Sequence, residues 1–484
     1  MATPELDRIV ADPPTRFVAA SAEQGAVIDE WWRRFGDDQL NGYVERAAVY
    51  NPQILQAVAR VEQARAQARV ARADLYPQLG VGLNASRQRQ NLAGSGFGAL
   101  LGGGTPGAGA GGGTGDDGGA EGGEGEGDEA SATAFTTDSF SLTGNVSWTI
   151  DLWGRIASQT AAARAEFLAS EENLRAVRQA IAAQVAQSYF GLVEAQQQVK
   201  VAEQLETAIA EVARQVGNRV DVGIAPPNDK TLAFANLGQA RASLAQRREA
   251  LQRATRNFDQ LIRAYPDGAV AAAEVLPEVP PPPPAGLPAQ LLARRPDVRE
   301  AELRLVSAGY REAAAERALL PNIDLTGSAG TSSSELGDLL NGDFFIWSIA
   351  GQLLQPIFQG GRLRAQVDLA EGRKAEAVEA YAETVLQALS EVETALAVEA
   401  ELARRQAALR AATEAAQASV TISFNRYRAG IDPFATVLQS QQNALDASSA
   451  YVAATRARLD NRIALHLALG GGFEQAPMTA LPQD

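Results

Sequence analysis

Asn218-Arg219-Val220-Asp221-Val222-Gly223-Ile224-Ala225-Pro226 and, 207 residues on, Asn425-Arg426-Tyr427-Arg428-Ala429-Gly430-Ile431-Asp432-Pro433 are one turn written twice. Glycine takes the left-handed cap that ends a helix, and proline is pre-shaped for the first turn of the next, so each segment reads as the bend between two helices. Working outward, Ile150, Gly154 and Arg155 return at the same offset of 207 as Ile357, Gly361 and Arg362. Further upstream Pro52, Ala57, Ala64, Leu75 and Pro77 return as Pro296, Ala301, Ala308, Leu319 and Pro321, now at an offset of 244. The chain is therefore an internal duplication. The difference, 244 − 207 = 37, locates an insertion in the first half, in the interval that holds the glycine-rich stretch Gly94–Glu129.

Each half reads as helix, strand, loop, strand, long helix, turn and returning helix. Helices are expected over 51–76 and 296–320, strands within 77–153 and 321–358, and long plus returning helices over 154–263 and 359–469. The segments Arg155–Arg219 and Arg362–Arg428 run 65 and 67 residues without proline, about 100 Å of helix each. The returning helices are shorter, so the segments left over should meet midway along the long helices. These are the N-terminal 1–50, the proline-rich connector 264–295 and the tail 470–484. They are expected to form an equatorial belt of irregular structure.

Between the helices the period switches to two. Phe140, Leu142, Val146, Trp148, Ile150 and Leu152 alternate with Ser141, Thr143, Asn145, Ser147, Thr149 and Asp151. Leu79, Val81 and Leu83 alternate with Gln78, Gly80, Gly82 and Asn84, and Ile323, Leu325 and Gly327 with Asn322, Asp324 and Thr326. Phe345–Gln355 is less regular, with Trp347, Ile349 and Leu353 on one face. Alternation alone suits an ordinary antiparallel sheet with one wet face. Strands of roughly ten residues also match a tilted bilayer crossing. Four such strands cannot close a barrel and lipid tolerates no open edge, so the membrane reading requires oligomerisation; a trimer would supply twelve strands.

The composition excludes several activities. Among 484 residues there is no cysteine, and His466 is the single histidine, so thiol catalysis, disulfides and cysteine or histidine metal clusters are out. No cofactor or metal is expected, and no enzyme. Of 43 basic residues only Lys200, Lys230 and Lys374 are lysine, the net charge is −15, and the arginines are scattered among acids. That argues against a nucleic-acid partner. No apolar run reaches the ~18–20 residues of a spanning helix, and Met1–Ala20 has no signal-like apolar core. Gly94–Glu129 carries seven acids and no base, so it reads as a disordered loop between two strands. Its Gly112-Gly113-Thr114-Gly115-Asp116-Asp117 mimics a calcium β-roll repeat but occurs once, and no phosphate loop follows the glycines. For His466, packing is expected.

Several motifs together resemble a known family. They are Trp31-Trp32 to Phe35, Ser147-Trp148-Thr149-Ile150-Asp151-Leu152-Trp153-Gly154-Arg155, Gly286-Leu287-Pro288 through Arg294-Arg295-Pro296-Asp297, Pro356-Ile357-Phe358 with Gly360-Gly361-Arg362, and Leu467-Ala468-Leu469-Gly470-Gly471-Gly472. In this order they resemble the outer-membrane factor family of TolC-like channels, most closely its NodT-type lipoprotein branch serving resistance–nodulation–division pumps. The resemblance implies a mixed, mainly α fold: a homotrimer with a twelve-stranded β-barrel in outer-membrane lipid, continuous with a long α-helical barrel in the periplasm. Implied partners are a periplasmic membrane-fusion adaptor and an inner-membrane resistance–nodulation–division transporter. Members of the branch usually begin with a signal peptide and an acylated cysteine. Neither stands here, so Met1 is read as the start of a processed or recloned form.

The resemblance also places the functional residues. Arg219, Val222, Gly223 and Ile224 with Gly430 and Ile431 correspond to the adaptor-docking tips. Arg426, Tyr427, Arg428, Asp432, Phe434, Thr436 and Gln439 surround the periplasmic gate, which the family closes with acidic or apolar rings and inter-helix ties. Gln439 stands where many relatives carry aspartate, so an acidic double ring is not expected. The gate is expected to use Phe434 as an apolar ring and Asp432 paired with Arg426 or Arg428. Trp148, Trp153 and Trp347 are candidates for interfacial aromatic girdles, with packing against a neighbouring protomer as the plainer role. The function implied is a passive exit duct for small toxic compounds. Type I protein secretion is the nearer rival, and a soluble coiled-coil scaffold is the rival from another class.

Overall fold

The computed structural model describes Phe17 and residues 29–91, 134–283 and 293–471. The expectations that fall on 1–16, 18–28, 94–129, 284–292 and 472–484 lie outside the described residues. The elements in chain order are α1 (Asp38–Tyr50), α2 (Pro52–Ala73), β1 (Gln78–Asn91), β2 (Ala134–Ile150), α3 (Arg155–Asp221), α4 (Pro227–Leu261), α5 (Pro296–Arg317), β3 (Asn322–Ser333), β4 (Phe345–Leu354), α6 (Arg362–Arg428) and α7 (Phe434–Ala468). Short 3-10 turns stand at Trp31–Phe35, Leu336–Leu340 and Gly342–Phe344. Among the described residues no helix is long and apolar enough to cross a membrane. The chain divides into two compact units, one of residues 1–71, 157–316 and 361–484, the other of 72–156 and 317–360.

The smaller unit holds one antiparallel sheet in the order β1-β2-β3-β4. Its register separates chemistry by face. Leu79 lies opposite Val146, which lies opposite Gly327, which lies opposite Ile349. One residue along, Gly80 lies opposite Asn145, then Ser328, then Ser348. The hydroxyls of Ser328 and Ser348 are 2.8 Å apart, and Thr149 Oγ1 donates to Asp324 Oδ1 at 2.7 Å. On the apolar face Leu79, Val81, Trp347, Ile349 and Leu353 are all two-thirds or more exposed. Among the described residues nothing covers these side chains, and the two outer strands leave their ladder groups open, which hydrocarbon does not tolerate.

The larger unit is helical. α3 and α6 have 67 residues each, and α4 and α7 have 35 each. Around the middle of α3, Ile181, Val185, Tyr189, Phe190 and Val193 are buried in a single cluster. Trp31, Trp32 and Phe35, Phe258 of α4, Leu276 of the connector and Ile463 of α7 complete it. Polar contacts fix the same place: the Tyr189 hydroxyl donates to Asp37 Oδ2 at 2.6 Å and accepts from the Ala273 amide at 3.0 Å. Burial, followed by the Asp37 hydrogen bond, raises the Tyr189 phenol well above its ordinary range.

Within the expected irregular segment, residues 38–50 instead form α1, of 13 residues. Asp37 caps it, its carboxylate accepting from the amides of Gln39 and Leu40 at 2.9 and 3.1 Å. Leu40, Val44 and Ala47 bury the inward stripe at helical spacing.

Candidate functional site

Both turns close with the same backbone geometry. The Gly223 amide donates to Val220 O at 2.9 Å and the Ile224 amide to Arg219 O at 2.8 Å. The second turn repeats this with Gly430 to Tyr427 O at 2.9 Å and Ile431 to Arg426 O at 3.0 Å. This pair of bonds satisfies carbonyls that a helix end leaves open, and it demands a residue in the left-handed region. Gly223 has φ 78° and Gly430 φ 72°, where a side chain would be strained. The result is a pair of blunt turns presenting Val222, Ile224 and Ile431, each more than 60% exposed.

Behind the second turn, Arg426 and Asp432 form a two-point ion pair, Nε to Oδ2 at 2.7 Å and Nη2 to Oδ1 at 3.0 Å. Hydrogen bonding to Arg426 holds the Asp432 carboxyl below its ordinary value, and the same contact raises the guanidinium. Of the two arginines expected as partners, Arg426 makes the pair; Arg428 is exposed beside it. Tyr427 points the other way. Its hydroxyl donates to Asp229 Oδ2 at 3.0 Å, and the Arg219 guanidinium lies 5.7 Å from its ring centroid. Burial and the Asp229 bond push the Tyr427 phenol up to about 12.

Phe434 departs from expectation. It is 2% exposed and packs 5.1 Å from the Tyr427 ring, in a cluster with Val212 and Val216 of α3, Leu237 of α4 and Val437. A side chain sealed among its own chain's helices cannot also form a lining ring, so Phe434 supports the turn from within. Thr436 and Gln439 are exposed, and the Gln439 amide donates to Asn443 Oδ1 at 2.9 Å. The three tryptophans lie in the sheet unit. The indoles of Trp148 and Trp153 donate to Leu75 O at 3.0 Å and Pro321 O at 2.8 Å, whereas Trp347 stands 70% exposed on the apolar face.

The sequence reading missed Asp229, the partner that joins the second turn to the helix leaving the first. The repeat contained the signal: 436 − 207 = 229, so Asp229 is the counterpart of Thr436, which was singled out. It also missed two further ties above the turns, Ser423 to Ser440 at 2.6 Å and Asn236 to Gln441 at 3.1 Å. Among the described residues no group of three or more histidine, aspartate or glutamate side chains could hold a metal ion.

Comparison with known proteins bears on all of this. The family described as "Outer membrane efflux protein" matches residues 43–262 and 287–471. The chain is 32% identical to Outer membrane protein OprJ of Pseudomonas aeruginosa over 94% of this chain and 89% of that one. It is 30% identical to Cation efflux system protein CusC of Escherichia coli, over 92% and 88%. A crystal structure of CusC superposes with a TM-score of 0.78 at 28% identity, covering 97% of this chain and 99% of that one. The likeness covers nearly the whole length, including the two halves with their matching helix turns and the four-stranded sheet: the chain belongs to the outer membrane efflux protein family.

Proposed function

We propose that the protein is the outer-membrane exit channel of a tripartite efflux system, working as a homotrimer. The observation that carries this is the four-stranded sheet whose outer strands expose Leu79, Val81, Trp347, Ile349 and Leu353 and whose two edges are open. Such a sheet is stable in lipid only when copies close it. Three copies supply twelve strands, and their long helices line a wet conduit through the periplasm. The duct carries out no reaction, and its cargo is small toxic compounds selected upstream by the transporter. The exposed turns at Val222–Ile224 and Gly430–Ile431 dock a periplasmic adaptor, which couples the channel to an inner-membrane resistance–nodulation–division transporter. Placement in the NodT-type lipoprotein branch rests on the motifs at Ser147–Arg155 and Leu467–Gly472.

Gating belongs to the same turns. In a trimer each residue recurs three times about the axis, so one tie per chain sets the aperture. Tyr427–Asp229 anchors the second turn to the first hairpin, and Arg426–Asp432 stiffens the turn itself. Planar-bilayer conductance of the detergent-purified protein, with its mass measured in the same sample, tests this. A trimer of small, flickering conductance that rises in Tyr427→Phe and in Asp432→Asn is expected. A monomer without conductance overturns the channel; a trimer whose conductance is the same in both variants overturns the gate.

A further inference from the structure

α7 carries Arg462 and His466 one turn apart, and both are sealed, 1% and 0% exposed. Trp31 stacks on His466 with ring centroids 5.7 Å apart and planes 13° from parallel. Arg34 lies near enough that its charge acts on both His466 and Arg462. The donors gathered here outnumber the acceptors. Arg462 Nη2 reaches Glu399 Oε1 at 2.7 Å, but its Nε and Nη1 have no partner. Neither do Arg34 Nη1, Trp31 Nε1 and the two ring nitrogens of His466, all of them buried atoms. Glu399 is the carboxylate in reach and is already shared, accepting from Arg458 Nε and Asn461 Nδ2 at 3.1 Å each. Arg458 and Arg462 thus share one carboxylate, while the buried Arg34 Nη1 has no partner. Burial, with the Arg34 and Arg462 charges, drives the His466 imidazole down to about 3, so it is neutral and offers one more N–H.

Buried donors are satisfied and buried charges are compensated, or the fold loses stability. A water molecule answers the first requirement and not the second. We propose that the cluster of Arg34, Arg462, His466 and Trp31 binds a small inorganic anion of the chloride class. The sealing of the site within one chain favours a monatomic or similarly compact ion taken up on folding. A neighbouring copy cannot reach atoms already buried in a single chain. The ion would tie α7 to the 3-10 turn Trp31–Phe35.

The test uses the full chain as it assembles in detergent. Crystals grown in bromide should show an anomalous peak between the Arg34 and Arg462 guanidinium groups. Water alone at that position, or a carboxylate of the chain's own residues 1–28 or 472–484, overturns the proposal. In solution, replacing gluconate by chloride at constant ionic strength should raise the melting temperature by several degrees and saturate. Arg34→Gln should lose most of that rise, and Arg404→Gln, in an exposed pair with Glu401, should keep it. A wild type indifferent to chloride, an unchanged response in Arg34→Gln, or an equal loss in Arg404→Gln each refutes the site. Should Arg34→Gln fail to assemble, the bromide experiment on the wild type decides alone.

Discussion

α3 and α6 descend from one ancestral helix and have kept its length, 67 residues, and its flanking motifs. Their surfaces have parted. α3 buries a near-continuous series through Ile181–Val193, where the Trp31–Tyr50 segment and the connector cover it, and Val212 and Val216 against Leu237 and Phe434; it exposes no large apolar side chain. α6 buries seven residues and leaves Leu369, Leu386, Val398 and Ile422 exposed. Duplication copied the backbone, and the two copies then took different neighbours: α3 finds its own within the chain, and α6 is left for a neighbour that a single chain lacks. The turns tell the same story at closer range. The bonds of Gly223 and Ile224 match those of Gly430 and Ile431, while the tie between hairpins uses Tyr427 and Asp229, whose counterparts in the other half are Val220 and Thr436.

The contrast between halves is sharpest in the sheet. A Cβ on Gly330 would collide with Leu142 O and stand 2.7 Å from Thr143 Cα, whereas its first-half counterpart, position 86 at offset 244, is a serine. Gly330→Ala must therefore part β2 from β3. A loss of ~3 kcal/mol and of membrane-inserted protein is expected on fractionation. Gly327→Ala, whose Cβ would meet nothing closer than 3.6 Å, should insert normally. Equal insertion of the two variants breaks this account.

Next in size are the turns. No atom lies within 4 Å of a Cβ at Gly223 or Gly430, so valine there is opposed by backbone strain of about 1–2 kcal/mol alone. Gly430→Val should abolish efflux support in a drug-susceptibility assay while leaving the trimer inserted, and Gly223→Val should match it if the turns are equivalent. Full resistance in Gly430→Val removes the docking role. Resistance in Gly223→Val alone would show that the halves have diverged here as well.

The ties should respond to pH in opposite directions. Asp432 is lowered from 3.8, so its pairing is complete above that value and is lost as pH falls through the lowered one. Tyr427 is raised from 10.0 to about 12, so its bond is complete below 10 and is lost between 10 and 12. Conductance should be flat between about pH 5 and 9 and rise on both sides. A rise centred near neutrality would point to other groups.

The smallest effect concerns α7. Burial lifts the Asp460 carboxyl from 3.8 to about 6, against the lowering by Arg456; the counterpart at offset 207 is Arg253. Stability contributed by its protonated form is present below 3.8 and lost as pH rises through about 6. Asp460→Asn should therefore melt a few degrees above wild type at pH 7.5, with the difference shrinking at pH 5. A constant difference at both values would dismiss the titration.

Much of the architecture could be read from short-range patterns. Proline and glycine stops bound the helices within a few residues, and period-two alternation found all four strands. The Arg426–Asp432 pair was legible because six residues separate its members across one turn. α1 was not foreseen, although Asp37 and the spacing of Leu40, Val44 and Ala47 encode it. The misreading of Phe434 and the omission of Asp229 share a cause. Both are settled by packing between helices that are far apart in sequence, and local periodicity holds no record of which neighbour arrives.

The β2–β3 ladder has a consequence for how the chain folds. It joins Ile150 to Ile323 and Phe140 to Ser333, spans of 173 and 193 residues, while β1–β2 and β3–β4 each pair within one half. Closing so long a loop is slow, and the exposed strands of the first half wait in the meantime. Each half can prepare its own strand pair, but the sheet cannot be completed until translation has delivered the second. The first half is thus the aggregation-prone species of the nascent chain, and the interval before β3 emerges is when a holding chaperone has most to do.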